Sequence, residues 1–154
     1  MKYIKALILL LVVGLPLSWV LSTWLNDEEK IAPALIPFVA EWEAGMQSAG
    51  VDYHEDFDDI RHIKLANFFL DNVGSSSRFN HMILIENDLF NLGPFTVKAT
   101  VYHELGHYVF DLEHGSCAIM KPKCSSEQDY AEHWDDYKRE YLQLCNARLT
   151  SLPN

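Results

Sequence analysis

Two histidines four residues apart, His103 and His107, with Glu104 directly after the first, are the side chains of this 154-residue chain whose types and spacing suit joint chemistry. Residues four apart on a helix share a face with Cβ atoms about 5–6 Å apart, so two imidazoles can point at one spot. Such a pair suits a single metal ion. Zinc needs nitrogens converging at roughly 2.0–2.1 Å, and a catalytic zinc takes three protein ligands and keeps its fourth position for water. Glu104 stands beside that water rather than on the metal, the place of a general base.

The helix that must carry these groups is amphipathic in a useful way. Val97, Val101, Leu105, Tyr108, Val109 and Leu112 form an apolar stripe, and Thr100, His103, Glu104 and His107 form the neighbouring strip. One face can pack while the adjacent one lines a cleft. Asn91-Leu92-Gly93-Pro94 punctuates the chain ahead of it, so the helix is expected from about Pro94 to Phe110. Gly106 costs such a helix about 1 kcal/mol against alanine. Close approach of another backbone would be one reason for it.

Beyond the helix come His114 and the run Ile119-Met120-Lys121-Pro122. With these, the stretch from Thr96 to Pro122 resembles the zincin metallopeptidases and, more particularly, the metzincins, whose pattern is a His-Glu-x-x-His helix, a sharp turn, a third histidine and a methionine turn beneath the metal. The resemblance implies Zn2+ as cofactor on His103, His107 and His114, Glu104 as the catalytic base, Met120 in the methionine turn, and hydrolysis of peptide bonds. Where the family has a glycine and its third ligand, this chain has Phe110 and Glu113, and His114 comes one residue later. Asp111 is expected to take the turn, since Asp tolerates left-handed backbone better than most residues. The rival third ligand is Glu132, which would complete the site from a later helix as in other zincins. A catalytic zinc cannot hold both and keep its water. In some metzincins a tyrosine two residues after the methionine assists; that position is Pro122, so no side chain is assigned to the oxyanion.

Lys2 and Lys5 precede residues 6–25, a run of 20 without charge. That run is long enough to span a bilayer with its N-terminus cytoplasmic, and it also fits a signal peptide broken at Pro16. Residues 1–25 are therefore a signal peptide or a membrane anchor, and residues 26–154 one exported domain, periplasmic or extracellular, tethered to the membrane if uncleaved. Setting Lys2 and Lys5 aside leaves 10 of the 12 basic side chains against 22 acidic ones, a net charge near −12. Such a surface disfavours nucleic acid as a partner. Outside the cytoplasm disulfides persist, and the three cysteines allow one bridge in three pairings. Cys117 with Cys124 is preferred because it would close a loop around Met120; Cys124 with Cys145 would tie that loop to the last helix.

The remaining elements must hold the motif helix in place. Ile31, Leu35, Phe38, Trp42, Met46 and Ala49 recur at helical spacing, with Pro33 near the start and Gly50 at the end. Residues 51–59 read as an acidic solvated loop, His62 to Asn67 as a half-buried strand, Asn72 to Ser77 as a surface loop and Phe79 to Glu86 as a second strand. Met82 to Glu86 is the candidate edge strand for pairing an extended substrate. A capped helix should begin near Ser125 or Ser126 and carry the stripe Tyr130, Trp134, Tyr137, Tyr141, Leu144 and Arg148. His54, His62, His81 and His133 have no partner at ligand spacing.

The fold class expected is α+β, a small zincin-like domain with a short mixed sheet packed on the active-site helix, an N-terminal helix and a long C-terminal one. The function expected is that of a zinc metallopeptidase acting on a peptide, a protein or a peptidoglycan crosslink. The alternative is a cell-surface binding module whose zinc is structural and closed by Cys117, although a closed site has no need of Glu104.

Overall fold

The computed structural model describes residues 29–68 and 73–151. Residues 1–25, expected as a signal peptide or anchor, lie outside them. The chain divides after Lys30, and the unit beginning at Ile31 carries every element below. Among the described residues no helix is long and apolar enough to cross a membrane.

That unit is α+β. A 3-10 turn at Pro33–Leu35 leads into α1 (Ile36–Ser48), followed by α2 (His54–Asp58), β1 (His62–Ala66), β2 (Gly74–Ser77), β3 (Met82–Glu86), a second 3-10 turn at Asn87–Asn91, α3 (Pro94–Phe110) and α4 (Glu127–Ser151). The sheet order is β1-β3-β2, with β1 parallel and β2 antiparallel to β3. β3 is thus the central strand, because Ile83 and Ile85 are the apolar pair that can bury fully between two neighbours. The expectation that Met82 to Glu86 forms an edge is overturned. The edge beside α3 is β2, in the stretch expected to be loop.

Two other segments differ from expectation. The acidic stretch contains α2, whose Phe57 is buried against Trp42 with rings 5.5 Å apart. The second strand starts at Met82 rather than Phe79, since residues 78–81 make a tight turn in which His81 has a φ of 54°.

The motif helix has the expected ends. At its N-terminus Pro94 needs no hydrogen-bond partner, and the Glu127 carboxylate accepts from the backbone N–H of Phe95 (3.1 Å), from that of Thr96 (2.7 Å) and from the Thr96 hydroxyl (2.9 Å). At its C-terminus Asp111 turns left-handed, with φ 52° and ψ 40°, as expected of the inserted turn. α4 starts as a capped helix, with the Ser126 hydroxyl accepting from Asp129 N–H at 3.1 Å. Its Tyr130, Trp134, Tyr141 and Cys145 are buried. The Tyr141 hydroxyl accepts from Trp42 Nε1 (3.2 Å) and donates to the Tyr102 carbonyl (2.8 Å), so one buried, satisfied group joins α1, α3 and α4.

Candidate metal centre

α3 presents His103 and His107 one turn apart, and the left-handed Asp111 sends the chain back so that His114 faces them. The three Nε2 atoms form a near-equilateral triangle, His103 to His107 3.0 Å, His107 to His114 3.1 Å and His103 to His114 3.2 Å. Three nitrogens on one tetrahedral zinc, each bonded at roughly 2.0–2.1 Å, stand about 3.3–3.4 Å apart. The observed spacing meets that requirement within a few tenths of an ångström.

Proton placement sharpens the fit. His103 Nδ1 contacts the Ile119 carbonyl at 2.9 Å, and His107 Nδ1 contacts the Leu112 carbonyl at 2.6 Å. A carbonyl only accepts, so each Nδ1 carries the proton. Both neutral rings then direct a bare Nε2 lone pair at the same point. Lone pairs 3.0 Å apart repel unless a cation lies between them. Burial also opposes protonation: it lowers His103 from 6.5 to about 4, helped by His107 and His114 and opposed by the Ile119 hydrogen bond. His107 is lowered as well, chiefly by burial. Neutral imidazoles fixed through Nδ1 by backbone carbonyls are the donor set that zinc takes up well.

The loop after His114 supplies one of these carbonyls and the packing beneath. Its ends are joined by a hydrogen bond from Gly115 N–H to the Met120 carbonyl, 2.7 Å. Ile119 thus orients His103, while Met120 is buried below the motif helix. A Cβ on Gly106 would come 2.9 Å from the Met120 sulfur and 3.1 Å from Tyr141 Cε2. The reason for that glycine is therefore close approach of side chains, not of another backbone.

Glu104 is buried beside the histidines, and burial raises its carboxyl from 4.5 to about 7, with the Ser76 hydroxyl donating to it and pulling the other way. A Cβ at Gly74 would lie 2.6 Å from Glu104 Oε1, so β2 must be bare there for the carboxylate to fit. Gly74, Ser76 and Arg78 line one cleft of about 500 Å³ with Glu104 and the three histidines. These three were missed as site residues. For Gly74 and Ser76 the signal was the spacing of two, which places alternate residues of a strand on one face; Arg78, in the turn after β2, carried no such signal.

Glu132 stands elsewhere: it is exposed and accepts from Gln128 Nε2 at 2.8 Å. The bridge expected between Cys117 and Cys124 is not formed, and all three cysteines are free. Cys117 is buried near Cys145, whereas Cys124 sits 3.8 Å from the Thr100 hydroxyl. Among the described residues the only grouping of three or more potential ligands is the histidine triad. His81 pairs with Asp59 at 2.7 Å and His133 with Asp129 at 3.5 Å. Comparisons with protein-family models, curated proteins and solved structures find no match for the chain.

Proposed function

We propose that this chain is a zinc-dependent peptidase of metzincin-like type. The observation that carries the reading is the convergence of three Nε2 atoms at 3.0–3.2 Å beside a buried carboxylate on the same cleft. His103, His107 and His114 would hold the ion. A bound zinc supplies a Lewis acid that polarises a carbonyl and acidifies water.

The chain's own groups do the rest. Glu104 accepts a proton from water at its carboxylate and passes it to the leaving amine. A base working near neutral pH profits from a pKa near neutrality, and burial brings Glu104 to about 7. The Ser76 hydroxyl, close to that carboxylate, favours its charged form. β2 is an edge strand along the cleft among the described residues, the place where an extended peptide can add to the sheet, which suits a peptide or protein substrate. Pro122 lines the cleft, so the oxyanion has no side chain from that position.

The other reading, a closed structural zinc in a surface-binding module, has less support. It would need Cys117 as a fourth ligand, and Cys117 lies buried in the core cluster. An export route through residues 1–25 remains part of the proposal. The test is zinc analysis of the purified chain with Glu104→Gln assayed beside it on a peptide library and on peptidoglycan peptides. One zinc per chain in both proteins, and a loss of about 10²–10⁴ in turnover in the variant, is expected. Zinc-loaded protein that cleaves nothing in either set overturns the reading.

A further inference from the structure

Resting on the peptidase reading, the geometry points to Arg78 as the specificity-determining residue of the cleft, a cation that selects substrates bearing a carboxylate close to the bond to be cut. Arg78 lies on the cleft wall with Glu104 and the three histidines. Its Nε donates to the Tyr108 carbonyl at 2.8 Å, in the last turn of the motif helix. A guanidinium has five N–H donors in a rigid fork. Anchoring through Nε leaves the two terminal nitrogens, the pair that grips a carboxylate in bidentate fashion.

The turn that carries Arg78 is itself held still. His81 N–H donates to the Arg78 carbonyl (3.3 Å), and the His81 carbonyl accepts from Arg61 N–H (2.8 Å). His81 Nδ1 meets Asp59 at 2.7 Å, and the Tyr108 hydroxyl donates to the same carboxylate at 3.3 Å. Arg78 is thus fixed at its backbone and at its Nε before any substrate arrives. Ordering a free arginine costs side-chain entropy, and here most of that ordering is complete.

Charge makes the arrangement selective. The chain carries a net charge of −10, and among the described residues no carboxylate forms an ion pair with Arg78. Asp111, which also lines the cleft, is paired with Arg148 at 3.3 Å. Among the described residues Arg78 is the lysine or arginine that lines this cleft, so an acidic peptide entering it against the net negative charge of the chain is drawn to that guanidinium. The ligand chemistry is a carboxylate, from an aspartate or glutamate side chain or from a chain terminus.

The test uses the zinc-loaded protein and matched peptides in three forms: a glutamate beside the scissile bond with an amidated terminus, the glutamine counterpart, and the glutamine peptide with a free C-terminal acid. The wild type should favour one of the acidic forms over the neutral one roughly ten- to hundredfold in kcat/KM. Which form wins distinguishes side chain from terminus. Arg78→Gln should shrink the ratio to near one, and Arg78→Glu should reverse it in favour of a lysine peptide. Circular dichroism and zinc content report whether each variant has folded. Equal cleavage of all three forms by the wild type, or a preference unchanged in both folded variants, overturns the inference while leaving the peptidase reading standing. Calorimetric binding of the same peptides to Glu104→Gln requires no hydrolysis. An Arg78-dependent preference there, with no cleavage by the wild type, would sustain Arg78 as the carboxylate-binding group and sink the peptidase reading and, with it, the specificity role.

Discussion

The sulfur of Met120 occupies the space that a Cβ on Gly106 would need, 2.9 Å from its ideal position. Helix propensity alone would favour Gly106→Ala by about 1 kcal/mol. Overpacking a well-filled core typically costs about 1–3 kcal/mol, and the Tyr141 ring at 3.1 Å closes the other side. Gly106→Ala should therefore lower the melting temperature and weaken zinc binding, since Ile119, next to Met120, orients His103. Pairing it with Met120→Ala should recover part of the loss, and a double-mutant cycle of thermal stabilities measures the coupling. Strictly additive effects would show that the contact is not what requires glycine.

The third ligand is decided by comparing His114→Ala with Glu132→Ala. His114 Nε2 is within 3.2 Å of both other Nε2 atoms, whereas Glu132 is exposed and bonded to Gln128. Zinc content should fall severely in the first variant and stay near that of the wild type in the second. The opposite pattern, by metal analysis after dialysis against dilute zinc, would move the ligand set onto α4.

Glu127 ties the start of the motif helix to the start of α4. Its carboxylate takes three hydrogen bonds at the positive end of the α3 dipole. Glu127→Ala should cost about 1–2 kcal/mol, the range of a lost cap. Glu127→Gln, which keeps an acceptor oxygen, should cost less. Urea titrations of the three proteins give the order, and a Gln variant as damaged as the Ala variant would rule out the cap.

The contrast between legible and illegible parts follows physical lines. The motif helix was read to its ends because Pro94, an apolar stripe of period 3.6 and a residue able to turn left-handed are all local signals. Asp111 took the expected turn, and His114 came round to the pair. β2 was hidden because Gly74-Ser75-Ser76-Ser77 has the composition of a turn. Its strand state comes from pairing with β3 and from the fit of Glu104 against Gly74, both tertiary effects. The cysteine pairing failed for the same reason: spacing around Met120 says nothing about which way a thiol faces, and Cys117 turns into the core.

The last prediction concerns pH in zinc-free protein, where Glu104 and His103 act in opposite senses. Burial depresses His103 from 6.5 to about 4, so the unfolded chain binds a proton there that the native protein refuses. Its contribution to stability is full above 6.5 and is lost as pH falls to about 4. His107, also depressed by burial, adds in the same direction. Burial raises Glu104 from 4.5 to about 7, so the native protein keeps a proton that the unfolded chain has released. That contribution is full below 4.5 and is lost as pH rises through about 7. Facing Glu104 are the Ser76 hydroxyl and, on the loop before α4, Cys124; facing His103 are His107 and His114. Between 4.5 and 6.5 the Glu104 slope offsets part of the histidine slope, so the wild type should climb only gently. Glu104→Gln removes one slope only. In a chelator its melting temperature should climb more steeply than that of the wild type from pH 4.5 to 6.5, and it should lack the wild type's decline towards pH 7. Melting curves of both proteins at half-unit steps from pH 4 to 7.5 test this, and parallel profiles would mean that Glu104 titrates normally in the native state.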